Sequence, residues 1–173
     1  MRTIKLTLLL LLVMMTGFGA NAQEKYRVQA MFVYNFARMT AWPQSYQSGD
    51  FVIGVYGNSP VYKEMADLSA MRSVGNQQVR LKQFSNVSDL DDCHIIFIAP
   101  NQSRNVAEIT QALKRKNIHA LVISEGRNTL ENGSVINFII ENDRPRYEIS
   151  TNNAREMGLT LGAEITRLAS SVK

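Results

Sequence analysis

The chain has 173 residues, 45% of them hydrophobic and 20% charged, which suits one domain with a buried core. Its formal net charge of +4 falls to +2 without Arg2 and Lys5, and so small an excess gives no field suited to nucleic acid. Cys93 is the only cysteine, which excludes a disulfide within the chain.

The first 22 residues have the layout of a secretory signal peptide. Residues 1–5 form a short basic start, residues 6–15 are a run of about ten apolar residues, and Ala20-Asn21-Ala22 is an A-x-A cleavage site. The apolar run is too short to cross a bilayer, which takes roughly 20 residues. We expect cleavage before Gln23, export from the cytoplasm, and a soluble mature chain of residues 23–173.

The mature chain begins with a predicted helix and continues with alternating strands and helices. Apolar residues recur at helical spacing over residues 23–42, and Pro43 ends that helix. The alternation that follows is typical of a parallel sheet layered with helices. The predicted strands are 51–57, 78–84, 94–99 and 120–124, and the predicted helices are 60–71, capped by Ser59, and 103–116.

The end of the chain has a different pattern. Residues 134–140 and 144–149 are predicted strands joined by a tight turn, which makes them a hairpin. A short helix capped by residues 150–153, with Glu156 in a capping box, and a last helix over 163–170 follow. The sequence therefore predicts one α/β domain, a three-layer sandwich. Its central sheet is mostly parallel, with about six strands, a C-terminal antiparallel hairpin and helices on both faces.

Neither a metal site nor a catalytic site is predicted. His94 and His119 each stand at a strand start without a second ligand nearby in sequence, and Cys93 and His94 point to opposite faces of a strand. Ser124 leaves a strand without the G-x-S-x-G motif of a nucleophile elbow. We therefore predict no catalytic residue, no metal and no cofactor, and a protein that is not an enzyme.

One turn is a candidate ligand crevice. The stretch Gly54 to Ser59 joins a predicted strand to a helix, but it lacks the third glycine of a dinucleotide fingerprint and the lysine of a P-loop. A plain tight turn is the simpler interpretation. Because such turns line ligand crevices in open α/β sheets, Gly57, Asn58 and Ser59 are kept as candidate ligand-binding residues.

Two segments are candidate recognition surfaces. The opening helix is rich in aromatic residues, although core packing explains most of them. The hairpin strand carries two arginines and a glutamate, which indicates either an exposed sheet edge or a binding surface. The candidate partner- or ligand-binding residues are Tyr34, Phe36, Trp42, Arg144, Arg146, Glu148 and Asn152.

These segments also carry a resemblance that covers the mature chain in order. The opening Tyr34-Asn35-Phe36 followed by Trp42-Pro43 resembles the opening of the YfiR-like family of exported bacterial proteins. Further matching stretches are residues 51–60, 93–98, 122–126, 133–138, 146–155, 158–161 and 167–169. The resemblance implies a periplasmic regulator that binds, and represses, the sensing domain of an inner-membrane diguanylate cyclase.

The resemblance leaves the partner open. Regulatory members of the family are associated with cysteine pairs, and with Cys93 alone a disulfide-gated control within one chain is excluded. The partner is a diguanylate cyclase or the periplasmic domain of a sensor kinase, and a homodimer and a small-molecule ligand are also compatible with the sequence. The alternative function is a periplasmic solute-binding module, and an exported hydrolase is a weaker third.

Overall fold

The computed structural model describes residues 17–173, with side chains described from Gln23 onward. The basic start and the apolar run of the predicted signal peptide lie outside the described residues. The first described helix, α1 (Gly17–Met39), runs through the predicted cleavage site before Gln23. Among the described residues, no helix has both the length and the apolar character that a membrane span requires.

The remaining elements alternate along the chain as expected for an α/β fold. The helices after α1 are α2 (Val61–Ser69), α3 (Val106–Arg115), α4 (Thr151–Glu156) and α5 (Ala163–Leu168). The strands are β1 (Thr40–Ala41), β2 (Phe51–Tyr56), β3 (Ser73–Val74), β4 (Gln77–Phe84), β5 (Ile95–Ile98), β6 (Leu121–Ser124), β7 (Ile136–Glu141), β8 (Arg144–Ile149), β9 (Thr160–Leu161) and β10 (Ser171–Val172).

Eight of the described strands form one sheet in the order β10-β8-β7-β6-β5-β2-β4-β3, and β1 pairs separately with β9. Strands β4, β2, β5, β6 and β7 are parallel, while β8 returns antiparallel to β7. The predicted fold class is confirmed, with the C-terminal hairpin in place. The strands β1, β3, β9 and β10 were not predicted, because two residues are too few to display an alternating pattern.

Helices cover both faces of this sheet. Helix α2 lies in the connection from β2 to β4, and α3 in the connection from β5 to β6. These two connections run in opposite directions across the sheet. Because such crossovers are right-handed, α2 and α3 lie on opposite faces. Helix α1 packs beside α2, and its Phe36 ring lies 4.8 Å from the ring of Tyr147 in β8. The central strands β5 and β6 are buried along their whole length, as their continuous apolar runs predict.

The hairpin turn is tighter than predicted. Asn142 and Asp143 have φ angles of 51° and 59°, and Glu141 pairs with Arg144 across the turn. Two consecutive positive φ angles define the two-residue turn that matches the twist of a hairpin, and Asn and Asp tolerate that conformation. The predicted turn 141–143 therefore shortens to residues 142–143.

Three predicted boundaries are corrected. Helix α1 ends at Met39, because β1 leaves it to pair with β9 and Gly162 N–H donates to the carbonyl of Met39. The predicted capping box is wrong, since Ser150 caps α4 through Asn153 N–H while Glu156 pairs with Lys114. The last helix ends at Leu168, because residues 171–172 form β10 against β8.

Candidate recognition surface

The exposed face of the β7–β8 hairpin carries the charged residues that the sequence singled out. Tyr147 points toward α1, so its neighbours along β8 point to the opposite side of the sheet. We call this side the hairpin face, formed by Ile139, Glu141, Arg144, Arg146 and Glu148. Its two arginines are exposed, and Ile139 and Glu148 are half-buried.

Arg146 is held in place by neighbours on the hairpin face. Its Nε donates to Ser170 Oγ at 3.2 Å, and Ser170 Oγ in turn donates to Glu141 Oε2 at 3.1 Å. The Arg146–Glu141 pair itself spans 3.7 Å between nitrogen and oxygen, and both side chains are about half exposed, at 48% and 51%. Arg144 makes no ion pair with any described residue and stands free beside this group.

The expectation that β8 forms the sheet edge is only partly correct. β10 pairs with Glu148 and Ile149, and Ser170 N–H donates to the carbonyl of Tyr147, so only the first half of β8 has an open side. The outward backbone position in that half is Pro145, which has no N–H to donate. A proline at this position blocks pairing with a further strand. Any contact with another protein at this edge would therefore be made by side chains.

A buried polar network supports the hairpin face from within. Asn137 Nδ2 lies 3.5 Å from Glu148 Oε2, while Asn137 Oδ1 accepts from Gly126 N–H at 3.0 Å. Ser124 Oγ donates to Ser134 Oγ at 2.8 Å, and Ser134 is fully buried. Because these polar groups are satisfied inside the protein, they fix the backbone that presents Glu148.

The aromatic residues of the opening segment do not join the hairpin face. Phe36 has no exposed surface and packs in the core against Phe138 and Tyr147. The hydroxyl of Tyr34 donates to the carbonyl of Ser73 at the far edge of the sheet. Trp42 is partly exposed and donates its indole N–H to the carbonyl of Ala37 at 3.0 Å. The predicted recognition residues are thus divided among separate regions.

Asn152 is also separate from the two arginines. It is exposed on α4 and accepts a hydrogen bond from Arg155 at 3.2 Å. Five residue steps along β8 separate Arg144 from Ile149, about 17 Å at the usual rise of a strand. The neighbouring Asn153 has the stronger structural role, because its Nδ2 donates to the carbonyls of Leu130 and Ser134, both at 2.7 Å. Sequence reasoning gave no reason to prefer one asparagine over the other.

The candidate ligand crevice at Gly57 is largely filled by the protein. Gly57 has a φ of +86°, and a Cβ built there would lie 2.7 Å from Gln102 Cγ and 3.3 Å from Ala99 Cβ. Glycine is needed because the loop after β5 lies directly against this turn. Beside it, Asn58 and Ser59 border an open depression of about 370 Å³. Ser59 Oγ accepts from Val61 N–H at 3.3 Å, so this hydroxyl stabilises the start of α2.

Sequence reasoning missed two clusters that the fold assembles. At the carboxyl end of β6, Glu125 accepts from Lys25 Nζ at 2.5 Å and from the fully buried Gln29 at 2.8 Å. At the opposite edge, His94 and His119 lie around Tyr46, residues distant in sequence. No periodic pattern marks such contacts, because they join elements that only the tertiary fold brings together.

Cys93 lies beside this second cluster. It is buried, and burial raises the pKa of its thiol to about 12. The thiolate is the reactive form of cysteine, so almost none is present at neutral pH. In the described part of the chain, no group of three or more histidine, cysteine or acidic residues has metal-binding geometry.

Comparison with known proteins agrees with this architecture. The topology is that of an open, doubly wound α/β sheet that includes a C-terminal antiparallel hairpin. The crystal structure of a conserved domain protein from Vibrio cholerae O1 biovar El Tor strain N16961 is similar, with a TM-score of 0.59 at 12% sequence identity. The similarity covers 83% of this chain and 60% of that one, so the present chain spans somewhat less than two thirds of its neighbour. No curated protein matches the sequence.

The sequence itself identifies the family. Residues 26–170 match the family described as YfiR/HmsC-like (DUF4154), and the chain belongs to it. The match spans α1 through α5, including both strands of the hairpin. The resemblance noted from the sequence is confirmed.

Proposed function

We propose that this protein is a periplasmic regulator that binds the periplasmic domain of an inner-membrane signalling protein and represses it. The observation that carries the proposal is the family match over residues 26–170, since YfiR-like proteins are known as periplasmic regulators of diguanylate cyclases. The signal-peptide layout of the first 22 residues supports export. A diguanylate cyclase is the first partner to test, and a sensor kinase the second.

The hairpin face is the contact surface that we propose for this partner. Arg144 has no ion pair among the described residues, so its guanidinium is free to bind a carboxylate of another protein. Arg146 is exposed yet oriented by Ser170 and Glu141, which lowers the entropy lost when it binds. Arginine is over-represented at interface hot spots because it donates several oriented hydrogen bonds.

A solute-binding role is the second candidate, and the open depression beside Asn58 and Ser59 is the observation in its favour. The adjoining turn at Gly57 packs directly against Gln102 and Ala99, so a ligand has no room at Gly57 itself. A thermal-shift screen of small solutes tests this role. A solute that stabilises the wild type but not Lys63→Ala, which alters the rim of the depression, would favour it.

The leading proposal is tested by capture of membrane proteins. Tagged mature protein is incubated with detergent-solubilised inner membranes, and bound proteins are identified by mass spectrometry. We expect an inner-membrane protein with a periplasmic domain to be enriched by the wild type and reduced by Arg144→Ala. Arg80→Ala is the matched control, because Arg80 is an exposed arginine on β4, at the other end of the sheet.

If Arg80→Ala reduced capture as much as Arg144→Ala, the hairpin face would be rejected as the contact surface, but the proposed regulatory function would stand. Enrichment of no inner-membrane signalling protein by the wild type would contradict the proposed function itself. Cyclic-di-GMP levels in cells that lack the protein provide the functional readout, and a rise is expected where the partner is a repressed cyclase.

A further inference from the structure

A polar cavity at the amino edge of the parallel strands contains both histidines of the chain. Its volume is about 360 Å³, and Tyr46, Asp50, Asp92, His94 and His119 contribute to its walls. It lies at the opposite end of the strands from Gly57, so it is separate from the candidate ligand crevice. The regulatory proposal above does not use it.

The ring of His94 connects two parts of the backbone. Its Nδ1 accepts from Val52 N–H at 3.1 Å, and its Nε2 lies 2.7 Å from the carbonyl oxygen of Tyr46. A backbone N–H only donates and a carbonyl only accepts, so the ring is neutral, with its proton on Nε2. We call these two hydrogen bonds the His94 bridge. They attach the turn at Gln44–Tyr46 to strand β2.

Protonation of the ring is incompatible with the His94 bridge. A proton on Nδ1 would face the N–H of Val52, and one of the two hydrogen bonds would be lost. His94 is 5% exposed, and its ring packs 4.1 Å from that of Phe51 between ring centroids, so a positive charge there would also be poorly solvated. The hydrogen bond to Tyr46 survives protonation, so the ring and the turn would shift from β2 together.

We propose that the His94 bridge is a pH-sensitive attachment: when His94 takes up a proton, the hydrogen bond from Val52 is lost and the turn at Gln44–Tyr46 loosens from β2. Gln77 of β4 still donates to the carbonyls of Tyr46 and Ser48, at 3.1 and 3.2 Å, so the turn shifts without leaving the sheet.

Burial lowers the pKa of His94 below its usual value of 6.5, against the hydrogen bond to the Tyr46 carbonyl and the nearby charge of Asp92, which both raise it. The loosened state therefore binds the proton more tightly than the closed one. The equilibrium constant for closure is therefore greatest above about pH 6.5 and falls with pH below that value, by at most about tenfold per pH unit.

The other groups that face His94 do not provide an alternative charge partner. Asp50 is paired with Arg80 at 3.1 Å, and Cys93 is a buried neutral thiol. Burial raises the pKa of Tyr46, so its hydroxyl stays neutral and accepts from His119 N–H at 3.1 Å. His119 Nδ1 donates to the carbonyl of Met157 at 2.9 Å.

The chain contains its own reporter for this change. Trp42 is the single tryptophan, and its ring lies 5.4 Å from His94 and 5.3 Å from Phe51. We would follow Trp42 emission and acrylamide quenching between pH 7.5 and 5.0 in the mature protein, with far-UV circular dichroism at each pH. The variants are His94→Gln, which cannot titrate, and His119→Gln as the matched control.

We expect a reversible rise in Trp42 quenching with a midpoint below pH 6.5, at constant circular dichroism, in the wild type and in His119→Gln. His94→Gln should show no transition. A transition that persists in His94→Gln, or that is absent from the wild type, would overturn the proposal. If His94→Gln does not fold, ¹⁵N spectra of the wild type decide. Titration of the His94 ring should shift the amide resonance of Val52. A Val52 resonance that does not change with pH would reject the His94 bridge.

Discussion

Gln29 of α1 donates a hydrogen bond from Nε2 to Oε2 of Glu125, at 2.8 Å, and so joins the first helix to the carboxyl end of β6. Gln29 is completely buried, and Glu125 also accepts from Lys25 at 2.5 Å. One carboxylate therefore serves two side chains of the same helix. This contact fixes α1 across the sheet near the predicted mature N-terminus.

Replacement of Glu125 by alanine should lower the free energy of unfolding by about 1–3 kcal/mol, because it leaves a buried amide donor unpaired. Glu125→Gln should cost less, since a glutamine oxygen still accepts from Gln29 although the ion pair is lost. Urea denaturation measures both variants. Glu131→Ala removes an exposed ion pair with Lys173 and serves as the control, with no measurable change expected. Equal effects at positions 125 and 131 would contradict this role.

Arg146→Ala should weaken partner binding by about 1–3 kcal/mol, as expected for a hydrogen bond to a charged group. The change should cost less than about 1 kcal/mol of stability, because the Arg146–Glu141 pair is half exposed. Affinity and melting temperature are measured on the same variant. Unchanged affinity together with a fall of several degrees would make Arg146 a structural residue.

Phe36→Ala should destabilise the protein by about 3–5 kcal/mol, the usual cost of a large cavity in a core. Phe36 has no exposed surface, whereas Met31 on the same helix is 44% exposed. Met31→Ala is therefore the control and should change stability little. The comparison is made by thermal unfolding, and similar losses at both positions would show that the packing of α1 differs from the one described.

Cys93 should resist thiol reagents in the folded protein. Its pKa of about 12 and its burial leave neither thiolate nor access at pH 8. Reaction with a chromogenic disulfide should release one equivalent in urea and almost none in native buffer. Full labelling of the native protein within minutes would mean that the start of β5 opens readily. Oxidation of Cys93 would then be a candidate means of control.

The sequence by itself determined the strand and helix order, the buried central strands, the hairpin and the family. These features are local, since apolar periodicity, proline and turn residues act within a few positions of one another. The motifs of the opening segment and of Arg146–Glu148 sufficed for the resemblance. The two-residue strands β3 and β10 were not predicted, because they are defined by hydrogen bonds to β4 and β8 and not by a pattern in their own residues.

Tertiary structure alone decided which singled-out residues share a surface. It placed Phe36 in the core, left Arg144 free and paired Arg146 with Glu141. It also joined Gln29 to Glu125, 96 positions apart, and assembled His94, Tyr46 and His119 at one edge. Such contacts depend on sheet order and on the crossing of α1, and chain-local patterns carry no information about either.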